Sequence, residues 1–277
     1  VSLQYEIYMV WPQELLADRP GRCWKLKKAL YGLKTSPNDW QQLFSRLLAD
    51  LGYERLKSDA SLYLNRKTQA MVLVYVDDLL ILADKQTTDN FLTELKTKDL
   101  ELKHTKTLDY NTPVDFLGKT ITLQKDGSLS LNYPDTFYKK LLEPHYLQHA
   151  NAVPTTGQQQ PPLLDEKDSA PLPPDLHRLY RRAVGQLLWL TQLRGDLLYP
   201  AKELSRHLSK PLRIHYQQLK YLLRYVKGTQ HFSYIVRPRL GPFDKDWKNP
   251  GITVYTDSDW AGCPETRKST SGVLVTF

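Results

Sequence analysis

The feature that most constrains the fold of this sequence is a pair of adjacent aspartates inside an otherwise apolar segment, residues 71–83. Aliphatic and β-branched side chains on both sides of the pair predict β-strands. Neighbouring residues of one strand point to opposite faces, so a single continuous strand would turn one carboxylate into the core. We therefore predict a β-hairpin with Asp77 and Asp78 at its tip.

Paired carboxylates at a rigid hairpin tip suit a divalent metal ion. Hard cations prefer oxygen ligands, and phosphoryl transfer commonly uses two such ions roughly 4 Å apart. Two neighbouring carboxylates also repel each other, so a cation would relieve the site. The alternative is an ordinary acidic turn, because such turns are common. The residues alone leave both interpretations open.

Two other elements are predicted in the first half of the chain. Residues 36–51 predict a helix, because apolar side chains recur there at three- and four-residue spacing and Pro37 fits its first turn. A second hairpin is predicted from residues 114–123 and 129–131, which a polar turn at Asp126-Gly127 joins.

A proline-rich segment, residues 153–175, divides the chain. Its six prolines and run of three glutamines favour an extended linker or surface loop. Before it, Asp135 is a suitable cap for a short helix over residues 136–142. Beyond it, the pattern predicts two helices and then two strands, over residues 176–193, 199–228, 252–256 and 273–277. Helices and hairpins thus alternate, which indicates an α+β fold.

The charge is basic and unevenly distributed. Lys and Arg number 38 against 30 Asp and Glu, a net charge of +8, which favours a polyanionic partner such as nucleic acid. Between residues 202 and 239 there are nine basic residues and one acid, Glu203. On a helix, four of them form a ridge beside an apolar stripe: Arg213, Lys220, Arg224 and Lys227. We interpret this ridge as a nucleic-acid track. The alternative is a solvated face whose side-chain stems cover apolar neighbours.

The cysteine content and the hydropathy argue against two classes of protein. Cys23 and Cys263 lie far apart without a Cys or His cluster, so neither a disulfide framework nor a zinc site is predicted. No apolar run approaches the roughly 18 residues of a membrane span. We expect a protein of the cell interior with both cysteines reduced.

Tyr75-Val76-Asp77-Asp78 resembles the YxDD signature of reverse transcriptases, and its surroundings resemble the Pol proteins of copia-type retrotransposons. Further blocks follow in the order of that family: residues 6–9, 24–37, 116–118, 180–188, 215–229, 255–262 and 267–272. Together they cover nearly the whole chain.

The resemblance implies a right-hand polymerase fold within the α+β class. Its regions would be partial fingers and palm (1–125), a thumb-like segment (126–150), the proline-rich linker (151–175), a helical connection (176–248) and the first hairpin of a truncated ribonuclease H-like domain (249–277).

The resemblance also implies roles for individual residues. Asp77 and Asp78 would be the catalytic metal ligands of the polymerase, and Asp257 the first metal ligand of ribonuclease H. The primer grip would be formed by Phe116, Leu117 and Gly118. Template or incoming nucleotide would contact Tyr75, Val76, Gly32, Lys34, Ser36 and Pro37. Lysines near Gly32 can bind phosphates, and the glycine allows close approach of a ligand. A solvated basic loop is the alternative.

The implied activity is RNA-directed DNA polymerisation by two-metal nucleotidyl transfer onto a primer, with Mg²⁺ as cofactor and Mn²⁺ as a substitute. The implied partners are an RNA template, a DNA primer, the RNA/DNA duplex, deoxynucleoside triphosphates and other Pol segments such as protease and integrase, and no membrane. The implied location is the cytoplasm, within virus-like particles, with a nuclear stage during transposition and DNA integration.

The family carries another aspartate upstream of the segment matched by residues 6–9, and its remaining ribonuclease H carboxylates follow the matched hairpin. We therefore expect these 277 residues to hold only part of each metal site. Whether they act as an enzyme alone stays open. Two alternatives also stay open: a catalytically incomplete remnant that still binds nucleic acid, and an unrelated acidic-hairpin protein.

Overall fold

The computed structural model describes residues 6–12, 14, 23–100, 102–157, 169–237, 252–263 and 266–276. The chain divides into two compact units, Val1–Thr107 and Leu108–Phe277. We call them the N-terminal unit and the C-terminal unit. Both combine helices with antiparallel strands, which confirms the predicted α+β class.

Among its described residues, the N-terminal unit contains a four-stranded antiparallel sheet, a separate strand pair and two helices. The strand pair is β1 (Tyr8–Val10) with β2 (Cys23–Lys25). The sheet has the order β3 (Glu54–Arg55), β4 (Leu62–Asn65), β5 (Ala70–Tyr75) and β6 (Asp78–Leu82). The helices are α1 (Ser36–Asp50) and α2 (Lys85–Thr97). Each strand follows its neighbour in sequence, so the sheet is a simple meander.

The core of this unit lies between the two helices and the sheet. Each helix contributes apolar side chains four residues apart, so that they share one face, and β4 and β5 supply the rest. The buried side chains include Phe44, Leu48, Phe91, Leu95, Tyr63 and Val72. Asp84 begins α2 by accepting a 2.8 Å hydrogen bond from the backbone N–H of Thr87, and this hydrogen bond lowers the pKa of its carboxyl. The apolar side chains that recur in residues 36–51 therefore face the core of this unit.

The C-terminal unit contains a four-stranded sheet, four α-helices and a separate hairpin among its described residues. The sheet has the order β10-β9-β8-β7. Its strands are β7 (Val114–Phe116), β8 (Lys119–Leu123), β9 (Leu129–Asn132) and β10 (Tyr234–Val236). The helices are α3 (Asp135–Leu142), α4 (Pro174–Leu190), α5 (Leu198–Ser205) and α6 (Arg213–Gly228), with 3-10 turns at Glu143–His145 and Gly195–Leu197. The hairpin pairs β11 (Thr253–Ser258) with β12 (Ser271–Thr276).

Several boundaries in this unit differ from the prediction. Residues 114–123 are not one strand but two, because Leu117 and Gly118 both have positive φ, 50° and 72°, as a type I′ turn requires. The predicted helix over residues 199–228 is two helices, α5 and α6. Strand β10 was not predicted. Helix α3 begins at Asp135 itself, with Pro134 rather than Asp135 at the capping position.

The proline-rich segment is described only at its two ends, and residues 158–168 lie outside the described part of the chain. Its second end is ordered by backbone pairing with the start of α6. Leu172 N–H donates to the carbonyl of Pro211 at 3.0 Å, and Arg213 N–H donates to that of Ala170 at 2.9 Å. This end of the segment is therefore part of the C-terminal unit.

The core of the C-terminal unit is helical. Helices α3, α4, α5 and α6 converge on one cluster of fully buried aliphatic side chains, among them Leu141, Leu187, Leu190, Leu197, Leu219, Leu223 and Val226. The predicted apolar stripe of α6 is thereby confirmed. Tyr180 is fully buried and donates its hydroxyl to the carbonyl of Leu204 at 2.6 Å; burial raises the pKa of this phenol. Tyr180 thus joins α4 to α5 by a polar contact inside the apolar core.

Arg194 is the polar centre of this unit. Only 3% of it is exposed, yet its guanidinium donates to both carboxylate oxygens of Asp196 and to the carbonyl and hydroxyl oxygens of Thr229. The hydroxyl of Tyr225 donates to the same carboxylate at 2.9 Å. Because Thr229 directly follows α6, Arg194 ties the end of α4 to the end of α6.

We predict that Arg194→Ala lowers the free energy of unfolding by about 2 to 3 kcal/mol, because it removes the hydrogen bonds of a buried guanidinium to Asp196 and Thr229. Arg178→Ala is the matched control, since the Arg178–Asp175 ion pair is largely exposed and should contribute less than about 1 kcal/mol. Urea unfolding of both variants measures the difference. Equal losses would show that the Arg194 network does not hold the two helix ends.

Candidate active site

The predicted hairpin is present, and its tip is tight. Strands β5 and β6 pair down to Tyr75 opposite Asp78, which leaves Val76 and Asp77 as the two turn residues. Both carboxylates are exposed. Asp77 therefore sits in the turn itself, while Asp78 opens β6 and shares its register with Tyr75.

Val76 holds a backbone conformation that its side chain disfavours. Its φ is 56°, in the left-handed region, where β-branched residues are rarely found. A two-residue turn with positive φ at its first position follows the type II′ pattern, which prefers glycine there. Such strain costs about 1 to 3 kcal/mol and persists only where surrounding structure imposes it.

Trp40 imposes that structure. Its indole Nε1 donates a 2.7 Å hydrogen bond to the carbonyl of Val76. The indole is itself supported by Phe44, a fully buried residue of the same helix, with ring centroids 5.5 Å apart. The tip of the hairpin is thus fixed to α1, which is 36 residues away in sequence.

A cavity of about 230 Å³ lies beside the tip. Pro37 and Trp40 of α1 line one side, Tyr75 and Val76 line the other, and Tyr63 lies among the remaining lining residues. Its volume is below the range of sites that enclose a whole drug-sized ligand, so it suits part of a ligand, such as one ring. The structure therefore brings together three predicted contact residues: Pro37, Tyr75 and Val76.

The hydrogen bond from Trp40 to the hairpin tip could not be predicted from the sequence. The place of Trp40 in the helical period indicated only a core position, and the period does not show that the polar edge of the indole reaches a turn. A tryptophan carries one donor that must find a partner when half-buried, and this was the only available signal.

The basic loop before α1 is exposed at the residues expected to meet a ligand. Gly32 has a φ of 95°, and no described atom lies within 4 Å of the position where a Cβ would stand. Lys34 is exposed, while the hydroxyl of Ser36 donates to the carbonyl of Leu30 at 2.8 Å and so shapes the loop. Lys25, at the start of the same basic block, forms an ion pair with Glu6.

The remaining predicted contacts lie in the C-terminal unit. Phe116, Leu117 and Gly118 form the end of β7 and its tight turn. Arg213 and Lys220 are exposed on α6. Arg224 and Lys227 are instead partly buried and donate to the backbone carbonyls of Asn151 and Ala150 at 2.7 Å each. Half of the predicted ridge therefore anchors the start of the proline-rich segment.

Asp257 lies on β11 with an exposed side chain. Asp259, two residues on, accepts hydrogen bonds from the backbone N–H groups of Thr270 and Gly262, and the bond from Thr270 is the main reason its pKa is lowered. Asp259 therefore closes the base of the loop that connects β11 to β12. In the described ranges no three His, Cys, Asp or Glu side chains gather into a group that could hold a metal ion.

Two exposed carboxylates thus stand at a tight hairpin tip, beside a cavity and on an antiparallel sheet backed by helices, in an α+β protein. The chain belongs to the reverse transcriptase (RNA-dependent DNA polymerase) family, whose profile matches residues 1–157.

Relatives with known names extend the similarity to nearly the whole chain. The Retrovirus-related Pol polyproteins from transposons RE1 and RE2 of Arabidopsis thaliana are 31% and 30% identical, each over 99% of this chain. That from transposon TNT 1-94 of Nicotiana tabacum is 28% identical over 100% of it. These matches confirm the resemblance to copia-type Pol proteins. The chain spans 18%, 18% and 20% of their respective lengths.

No solved structure matches the chain significantly. Within the described residues, no helix has the length and apolar character needed to cross a membrane.

We predict that Val76→Gly raises the free energy of unfolding by about 1 kcal/mol, because glycine adopts a positive φ without strain. Val236→Gly is the control, since this exposed valine lies in the regular strand β10, and there the change should cost about 1 kcal/mol. Chemical unfolding of both variants provides the measurement. A loss of stability in Val76→Gly equal to that of the control would contradict strain at the tip.

Proposed function

We propose that this chain forms part of the polymerase of a copia-type Pol polyprotein, which adds deoxynucleotides to a primer on an RNA or DNA template. The observation that carries the proposal is the β5–β6 tip, where Asp77 and Asp78 are exposed beside a cavity. The family match over residues 1–157 supports it, since the tip lies inside the matched segment.

The donor set at the tip suits Mg²⁺ or Mn²⁺. Carboxylate oxygens are the ligands that these hard cations prefer, and Mg²⁺ usually takes one or two carboxylates together with water and substrate phosphates. Bound there, the metal would lower the pKa of the attacking 3′-hydroxyl and offset the charge of the leaving pyrophosphate. Asp77 and Asp78 would hold it, with at least one further carboxylate expected from the family resemblance.

The residues around the tip would position the nucleotide. Trp40 fixes the tip through the Val76 carbonyl, so that the two carboxylates keep their place as charge changes during the reaction. The cavity between Pro37 and Tyr75 would accept a ring or sugar edge. Lys34, with the open backbone at Gly32, would approach phosphates. None of these contacts reads a base edge, as recognition that is independent of base sequence requires.

The C-terminal unit would serve the nucleic-acid duplex. In the proposed right-hand arrangement, the turn at Phe116, Leu117 and Gly118 touches the primer strand, and the exposed Arg213 and Lys220 contact phosphates. Asp257 on β11 would be one metal ligand of a ribonuclease H-like domain. The context of a Pol polyprotein further implies association with protease and integrase segments, and work inside virus-like particles.

We predict that Mg²⁺ or Mn²⁺ strengthens the binding of a complementary deoxynucleoside triphosphate to the chain carrying a primer–template, because the tip carboxylates and the triphosphate share the metal. Asp77→Asn and Asp78→Asn should abolish this metal dependence. Asp89→Asn, which removes an exposed carboxylate from α2, should leave it intact. Fluorescence of a labelled primer terminus measures the binding.

Three outcomes separate the interpretations. Equal metal dependence in all three variants would contradict the proposal, because the metal would then sit elsewhere. Binding of duplex with no effect of metal or of the complementary nucleotide would favour a nucleic-acid-binding protein without catalysis. Equal binding of complementary and non-complementary nucleotides would contradict templated synthesis.

A further inference from the structure

Helix α4 has one face that the core does not use. Its inward residues are Tyr180, Ala183, Val184, Leu187 and Leu190, all fully buried. The outward residues recur with the same helical period along the other side: Arg178, Arg181, Arg182, Gly185, Leu188 and Trp189. These six residues are exposed, and we call them the outer face of α4. The face joins a cationic half to an apolar half, with a glycine between them.

No contact or backbone angle among the described residues requires glycine at position 185. It lies in the middle of a 17-residue helix, its φ is not positive, and a Cβ added there would meet no described atom within 4 Å. Glycine at an exposed helix-interior position destabilises the helix relative to alanine. The missing side chain leaves room for a ligand to come close to the helix backbone at this point.

Trp189 lies one helical turn beyond Gly185 and is 41% exposed. Its backbone carbonyl accepts a 2.6 Å hydrogen bond from the hydroxyl of Tyr133, which fixes this end of the helix. The ammonium of Lys119, from the start of β8, stands 4.7 Å from the centre of the indole ring. One face of the ring is therefore covered by a cation, and the exposed remainder suits a sugar edge better than a stacked base.

The charge of the outer face is of one sign. Arg178 pairs with Asp175, but no acidic residue occurs between Asp175 and Asp196 in the sequence. Arg181 and Arg182 stand at the cationic half, and Lys119 adds a charge at the apolar half. A polyanion complements this distribution, whereas an apolar or basic protein surface does not.

We propose that the outer face of α4 docks the sugar–phosphate backbone of a nucleic-acid duplex, with Gly185 at the closest approach. The arginines would contact phosphates, and Leu188 and Trp189 would contact sugars. From Arg181 to Trp189 the helix rises about 12 Å, which matches the axial rise of roughly three to four base pairs. The choice of a nucleic-acid duplex as the ligand rests on the proposed function. The outer face of α4 is nevertheless separate from the hairpin tip in sequence and in role.

The test compares two side chains at Gly185 in the 277-residue chain. Gly185→Ala should raise the melting temperature by about 2 to 4 °C, because it strengthens the helix, and should at the same time weaken duplex binding. Gly185→Leu should raise the dissociation constant roughly tenfold, because its side chain fills the approach. Fluorescence anisotropy of a labelled RNA/DNA duplex and thermal unfolding give the two readouts.

Gly157→Leu is the matched control. Gly157 is also exposed, and no described atom lies within 4 Å of a Cβ added there, but it lies outside α4. The dissociation constant of Gly157→Leu for the duplex should therefore equal that of the unaltered chain. Arg181→Ala and Arg182→Ala should each reduce the salt dependence of binding by about one released ion.

Opposite shifts in stability and affinity at Gly185 would support the proposal, because a purely structural role moves both together. Unchanged duplex affinity in Gly185→Leu would overturn it and leave the polymerase proposal standing. Loss of stability in Gly185→Ala would also overturn it, by revealing a packing role. No duplex binding by the unaltered chain would overturn both proposals together.

Discussion

The hydrogen bond from the Trp40 indole to the Val76 carbonyl is the interaction on which the candidate site depends. It joins a helix to a hairpin tip whose conformation is unfavourable for two reasons. The two neighbouring carboxylates repel each other, and Val76 has a positive φ. The tip is not a free loop, because its far side is held by a donor whose own ring is stacked on the buried Phe44. The position of Asp77 and Asp78 is therefore set by the core of the N-terminal unit.

This connection explains why the cavity and the carboxylates occur together. Helix α1 presents Phe44 and Leu48 to the core and Pro37 and Trp40 to the cavity. The same helix thus supplies packing, one wall of the cavity and the tether of the tip. A change in how α1 packs would move all three, so stability and ligand binding are expected to be coupled in this unit.

In the C-terminal unit, some basic side chains stabilise the fold through internal hydrogen bonds, and others remain exposed on the surface. Arg194, Arg224 and Lys227 donate hydrogen bonds to carboxylate or carbonyl oxygens within the unit. Arg181, Arg182, Arg213 and Lys220 remain exposed on α4 and α6. A basic composition alone does not distinguish these two groups, since the partners of Arg224 and Lys227 lie more than 70 residues away in sequence.

Local patterns were enough to predict much of the fold. The apolar run around two aspartates required a hairpin, and the three- and four-residue spacing in residues 36–51 required a core-facing helix. The turn at Leu117 escaped prediction because leucine gives no sign of a positive φ, and β10 escaped because three exposed residues carry no alternation. For the site, the sequence indicated the two carboxylates and Pro37 but not Trp40, whose role depends on a contact 36 residues away.

We propose that Asp77 and Asp78 hold the metal that binds an incoming nucleotide. This proposal is tested most directly by a crystal structure of the chain with primer–template, a non-reactive deoxynucleotide analogue and Mn²⁺, using the anomalous signal of the metal. The account predicts an anomalous peak within coordination distance of both carboxylates, roughly 2.0 to 2.2 Å from oxygen, with the triphosphate on the same ion. A metal and nucleotide bound away from the β5–β6 tip would contradict it.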